Sequence, residues 1–170
     1  MGIKPRDGAH MKFKWPIQTM SVSIADDLQR CLGWSTALAA PQPATSVTLL
    51  LAILEAGNGT TAQRVLDEAG VTAHDVEPLE VEARARQPAA KGLKRLAGRV
   101  PGLTHGSDLE RALRQATNLA FVDKRSVLTT DDLFLALLTQ DSPARDTLVS
   151  LGKDPSEMRT EVMRSRPAPG

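Results

Sequence analysis

Leu49-Leu50-Leu51-Ala52-Ile53-Leu54 decides how this chain folds, because the pattern returns as Leu133-Phe134-Leu135-Ala136-Leu137-Leu138. Both stretches are apolar at every position, and both carry alanine fourth. A run this short is compatible with a buried strand or a buried helix on periodicity alone. The flanks arbitrate. Thr45 and Ser46 precede the first copy and Thr129 and Thr130 the second, hydroxyl residues of the kind that cap helix N-termini. Inside both copies, Ala and Leu outnumber β-branched residues. The reading is two short helices, apolar on nearly every side and therefore buried.

The echo continues on both sides. Ala62-Gln63-Arg64-Val65-Leu66-Asp67-Glu68-Ala69-Gly70 follows the first copy, and Ala144-Arg145-Asp146-Thr147-Leu148-Val149-Ser150-Leu151-Gly152 follows the second. The offset drops from 84 (49 to 133) to 82 (62 to 144), so the intervening loop is two residues shorter in the second copy. Upstream, Ser23-Ile24-Ala25-Asp26 faces Ser107-Asp108-Leu109-Glu110. A four-helix unit used twice is the result. Two copies are too few for a solenoid, so they are expected to pack on each other as one pseudo-symmetric, all-α domain.

Composition agrees. A chain of 170 residues suits one domain and buries roughly 70% of its unfolded surface. Three Phe, two Trp and no Tyr leave a core of aliphatics. A net charge of +1 gives no general attraction to nucleic acid or acidic membranes. Cys31 stands alone, which excludes a disulfide framework and points to a buried, inert thiol. No apolar run reaches the ~18 residues of a membrane span, and no signal-peptide pattern is present; a cytoplasmic protein is the expectation.

In chain order, Met1 to His10 reads as a cloning scar, and residues 11–20 as an extended arm carrying Phe13, Trp15 and Ile17 around Pro16. The first repeat spans 21–82. Its first helix is predicted to start at the N-cap Ser23 with Asp26, its stripe Ile24, Leu28, Cys31, Leu32 and Ser35, and to stop at Pro41-Gln42-Pro43. Thr60 with Gln63 reads as a capping box before the face Ala62, Val65, Leu66 and Ala69, closed by Gly70. Thr72 with Asp75 opens a fourth helix carrying Val76 and Leu79. Residues 83–106 read as a linker, with Arg84, Arg86, Lys91, Lys94, Arg95 and Arg99, no acid after Glu82, and a helical turn near Leu93–Leu96. The second repeat spans 107–163. It opens on Ser107 with Glu110, and its stripe is Leu109, Ala112, Leu113, Ala116, Leu119 and Ala120. Thr129 with Asp132 caps the apolar helix, Ser142-Pro143 starts the next, and Asp154-Pro155-Ser156-Glu157 the last, with Met158 and Val162 inward. Residues 164–170 form a tail.

Chemistry is scarce. The P-loop pattern Gly-x-x-x-x-Gly-Lys-[Ser/Thr] does not occur, nor a Gly-x-Ser-x-Gly elbow. His10, His74 and His105 have no neighbours at metal-ligand spacing. Asp131-Asp132 is an acidic pair beside a buried helix, where carboxylates ordinarily serve the helix dipole. No catalytic residue, cofactor site or metal site is expected.

In the order in which they occur, the motifs resemble the N-terminal domain of Clp unfoldases of the ClpC, ClpA and ClpB kind, the double Clp-N repeat, or a free-standing relative. The residues carrying the likeness are Leu49 to Glu55 with Gly57-x-Gly59, Ala62-x-x-x-Leu66-x-x-x-Gly70-Val71, Leu133-x-Leu135-Ala136-Leu137-Leu138 and Leu148-x-x-x-Gly152. It covers about 21–163. The resemblance implies two four-helix repeats about a pseudo-twofold axis and a docking role: such domains hold adaptors or unfolded substrates for an ATP-driven ring. Relatives carry Thr-Glu-His before the apolar helix, where this chain has Ser46-Val47-Thr48 and Thr130-Asp131-Asp132. In some ClpC-type relatives that glutamate helps bind phosphorylated arginine. Val47 cannot attract a guanidinium, whereas Asp131 can, which implies at most one such site. Candidate peptide- or adaptor-contacting residues are thus Val47, Asp131, Asp132 and Arg111. The expected partners are protein or peptide substrates, adaptors and an AAA+ Clp ring, with the isolated domain a monomer. Two alternatives remain open: a decoy of the same fold that sequesters peptides or cyclic-peptide antibiotics, and a small regulator binding nucleic acid through the basic linker, whose signature would be a steep salt dependence.

Overall fold

The computed structural model describes residues 13–14, 21–85 and 107–165. The expected scar, the linker turn at 93–96, most of the basic segment and the C-terminal tail lie outside them. Two short strands come first, β1 (Phe13–Lys14) and β2 (Ser21–Ile24). Four helices follow: α1 (Asp26–Ala39), α2 (Ser46–Ala56), α3 (Thr61–Glu68) and α4 (Ala73–Ala85). The second set is α5 (Ser107–Val122), then the strand β3 (Val127–Leu128), α6 (Thr130–Thr139), α7 (Pro143–Ser150) and α8 (Pro155–Ser165). The fold is all-α, with the two repeats packed as one domain about a pseudo-twofold axis.

The pairing of elements carries the symmetry. α2 packs on α1 within its own repeat and on α5 and α7 of the other, while α6 packs on α5 and, across the repeats, on α1 and α3. α3 meets α8 as α7 meets α4. The two apolar helices lie at the centre. Leu49, Leu50, Ala52 and Ile53 are fully buried, as are Leu133, Phe134 and Ala136. All belong to one continuous core that spans both repeats.

Capping chemistry sets most helix ends. Thr45 and Thr129 sit at the N-caps of α2 and α6, each in a reciprocal capping box, with Thr48 and Asp132 respectively. Thr72 and Asp75 exchange the same pair of bonds at the start of α4. Ser142 Oγ accepts from the Arg145 amide ahead of Pro143. Gly70 and Gly152 each end a helix at φ 79°, a left-handed conformation that only glycine takes without a steric cost.

Several expectations need correction. Ser23 caps no helix. Residues 21–24 form β2, which pairs antiparallel with β1 and parallel with β3. The Ser23 amide donates to the Ser126 carbonyl and the Ala25 amide to that of Leu128, both at 2.9 Å. α1 therefore starts at Asp26 behind Ala25, which makes no side-chain cap. Strands of two to four residues are too short to show alternation, so the hydrophobic pattern could not announce them. The upstream register shifts accordingly. Asp27 and Asp108 each accept the amide of the next residue, and Thr36 and Thr117 each bond back to the carbonyl four residues earlier, an offset of 81 (27 to 108, 36 to 117). Gln63 does not close a box on Thr60; its backbone amide donates to Thr60 Oγ1, but its side-chain Nε2 donates to the Ile53 and Leu54 carbonyls, tying α3 to the end of α2. Leu119, expected in the α5 stripe, is 39% exposed, and Thr117 is buried in its stead. α4 runs on to Ala85 through Pro78. The expected Ser107–Glu110 box rests on a side chain outside the described residues.

Candidate functional site

The first turns of α2 and α6 are the places the sequence singled out, and they differ in charge while sharing one backbone. In α2 the capping box is neutral: the Thr45 amide donates to Thr48 Oγ1 at 2.7 Å, and the Ser35 hydroxyl donates to the same atom at 3.0 Å. In α6 the corresponding residue is Asp132. Its Oδ2 accepts from the Thr129 amide at 2.9 Å. A carboxylate here, with its side chain 1% exposed, requires a counter-charge, and Arg125 supplies it by a bidentate pair: Nη1 to Oδ2 and Nη2 to Oδ1, each at 2.7 Å. Burial on its own would raise the pKa of Asp132. The Arg125 guanidinium and the Thr129 amide outweigh it and hold the carboxyl below the usual carboxylate range.

One residue earlier the two repeats reach into each other. Asp131 Oδ1 accepts from the Ala62 amide of α3 at 2.7 Å. The mirrored amide, that of Ala144 in α7, donates to Ser46 Oγ at 3.1 Å, one residue before Val47, the positional twin of Asp131. Asp131 and Ser46 each receive the second amide of a helix whose third amide is already capped by its own Thr60 or Ser142. Orphan donors at helix starts need such partners, so each repeat completes a helix of the other. Ser46 is held in turn, its own amide donating to Asp108 Oδ2 at 3.0 Å.

The structure does not gather the four candidate residues at one surface. Val47 is fully buried, because its place in the first turn faces the core, and it presents nothing to a ligand. Asp132 is internal and committed to Arg125. Arg111 lies exposed on the outward side of α5. Of the four candidates, Asp131 is the half-buried one. Burial raises its pKa above the ordinary carboxylate value; the Ala62 amide works against this, and the nearby charge of Asp27 adds to it. Sequence reasoning missed Ser46, Asp108 and Arg125 as partners. The one signal for Asp108 was its likeness to Asp27 at the start of the equivalent helix.

Little here supports chemistry. Burial pushes the Cys31 thiol up to about 11, leaving it protonated. Among the described residues no group of His, Cys, Asp and Glu could hold a metal ion, and no helix is long and apolar enough to cross a membrane. His74 is exposed at the start of α4; His10 and His105 lie outside the described residues.

The family model of the Clp repeat (R) N-terminal domain matches residues 35–151, from within α1 to the end of α7. No curated protein matches the chain.

Proposed function

The chain belongs to the family of Clp repeat N-terminal domains, non-catalytic docking domains of Clp systems, and on that premise we propose that it holds adaptors or unfolded peptides for a Clp-type ring in the cytoplasm. Asp131 is the residue we assign to basic side chains on those guests. The observation that carries the assignment is the contrast with its twin: the same position is a fully buried Val47 in one repeat and a half-buried carboxylate in the other. The backbone does not need a charge there, since Ser46 caps the mirrored amide with a neutral hydroxyl. A carboxylate whose ionised form is penalised by burial gains when a guanidinium approaches, because the cation restores what desolvation removed.

The test is titration of arginine-rich and phosphoarginine-bearing peptides against the full chain and against Asp131→Asn. Asparagine keeps the oxygen that receives the Ala62 amide, so the seam is preserved while the charge is lost. We expect affinity for basic peptides to fall about tenfold, the scale of one removed charge contact. Unchanged affinity removes Asp131 from the site. Retention of the bound peptide in place of transfer to a Clp ring would favour the sequestering form of the same docking role.

A further inference from the structure

We propose that Asp27 is the second acid of the Asp131 site, and that the two together fit the guanidinium of unmodified arginine and exclude its phosphorylated form. The proposal rests on Asp131 as the contact for basic guests and names what that contact selects. Both acids are half-buried. Each spends Oδ1 on a backbone amide at 2.7 Å, Asp27 on that of Leu28 and Asp131 on that of Ala62. α1 packs on α6, and the charge of Asp27 lies close enough to Asp131 to oppose its ionisation. Among the described residues neither acid forms an ion pair. The cations of the surrounding elements are turned elsewhere. Arg30, the one basic residue of α1, donates through Nε to the Ala56 carbonyl at 3.1 Å, Arg64 of α3 pairs with Glu68, and Arg125 takes Asp132. Two like charges partly withdrawn from water, with no counter-charge between them, gain from any cation that can reach both.

The other corner of the seam supplies the control. There Asp108, the twin of Asp27, is 5% exposed and gives its Oδ2 to the Ser46 amide at 3.0 Å, while Val47 stands at the place of Asp131. The fold is built there with one acid, spent internally, and no second. At the Asp131 corner the tasks are exchanged. Asp131 takes the cross-repeat amide that Ser46 takes in its own corner. Thr130, the twin of Ser46, is left with a buried Oγ1 that has no hydrogen-bond partner better than the neighbouring Cys31 thiol, a weak donor. Cys31 follows Asp27 by four residues, on the same face of α1, so the unused hydroxyl and the two carboxylates share one corner. A guanidinium carries its N–H donors in a flat fork, which serves both acids at once where an ammonium offers a single point of charge. A phosphoryl group on that fork would set anionic oxygens against two carboxylates.

The probe is a labelled peptide of neutral residues around one arginine, titrated against the full chain by anisotropy beside the same peptide carrying lysine or phosphoarginine. Arginine should bind saturably, lysine more weakly, and phosphoarginine more weakly by at least about tenfold. Asp27→Asn keeps the oxygen that receives the Leu28 amide, and it should lower arginine affinity about tenfold and narrow the gap to phosphoarginine. Asp26→Asn removes the same charge from the exposed neighbouring position and should change affinity by less than about twofold. Without peptide, the Asp131 carboxyl followed by NMR should titrate lower in Asp27→Asn than in the parent, because a nearby negative charge is gone. Thermal melts verify that the variants fold. Lysine or phosphoarginine bound as tightly as arginine, equal effects of Asp27→Asn and Asp26→Asn, or an Asp131 titration indifferent to Asp27 each overturn the proposal. Arginine binding weakened by Asp131→Asn but not by Asp27→Asn defeats this inference alone, whereas binding untouched by Asp131→Asn defeats the assignment of Asp131 itself.

Discussion

Asp131 and Asp132 are neighbours in sequence with opposite titration, and the difference follows from what faces each. Asp132, paired with Arg125, has a lowered pKa in the folded state. Its contribution is fully present above the unfolded value of 3.8 and is lost as pH falls through the lower folded value. Asp131 is raised. Its folded state holds the proton more tightly, so stability declines as pH rises from 3.8 through the folded value, and the penalty persists at neutral pH. Asp132→Ala should therefore cost on the order of 3 kcal/mol at pH 7, since it strands a partly buried guanidinium. Asp131→Asn should raise the melting temperature at pH 7 and leave it unaltered near pH 3. Denaturant melts across pH read both, and a destabilised Asp131→Asn at neutral pH would refute the assignment of its burial penalty. The sequence revealed that these two acids flank a buried helix, but their roles were not legible in it. Arg125 lies on the preceding loop, seven residues before Asp132, and Ala62 lies in the other repeat. Neither contact leaves a spacing signature.

Helices were legible where cap and stripe agreed, as in α3 and α6, each with its hydroxyl cap and the expected apolar face. They were misread where tertiary pairing won. Residues 21–24 satisfy their backbone in a sheet with β3, more than a hundred residues later, and so surrender the Ser23 cap. The same local reasoning makes glycine substitutions informative. An added Cβ at Gly33, inside α1, meets nothing within 4 Å, so Gly33→Ala should stabilise by about 0.5–1 kcal/mol through helix propensity. At Gly57 it would lie 2.5 Å from the Ile53 carbonyl oxygen, backbone that cannot yield, and Gly57→Ala should destabilise. Pro78 lies past the first turn of α4, where its missing amide leaves a carbonyl without its helical partner. Pro78→Ala should thus stabilise, by on the order of 1–3 kcal/mol. Thermal melts of the three variants should show two increases and one fall; a loss of stability in Pro78→Ala would mean that its ring packs where α4 needs it.

At the scale of the molecule, duplication was readable from the two apolar stretches, but the manner of assembly was not. The halves do more than touch along a greasy seam. Each ends a helix start of the other, through Asp131 to Ala62 and Ser46 to Ala144, and strands β2 and β3 pair across them. One continuous core runs through both. A single repeat cut from this arrangement would expose the faces of α2 or α6 that now meet the other half and would leave buried-type amides without acceptors. Residues 21–85 and 107–165 expressed separately should each fail to give a cooperative melt, whereas the intact chain unfolds in one transition. Ser46→Ala tests the coupling more gently. It removes one acceptor in repeat one whose donor belongs to repeat two, at a cost of about 1–2 kcal/mol. If the repeats form one cooperative unit, hydrogen exchange should quicken in both by the same factor. Faster exchange confined to α7, with the first repeat unmoved, would show that the halves unfold independently and that the cross-caps fasten ends without uniting the domain.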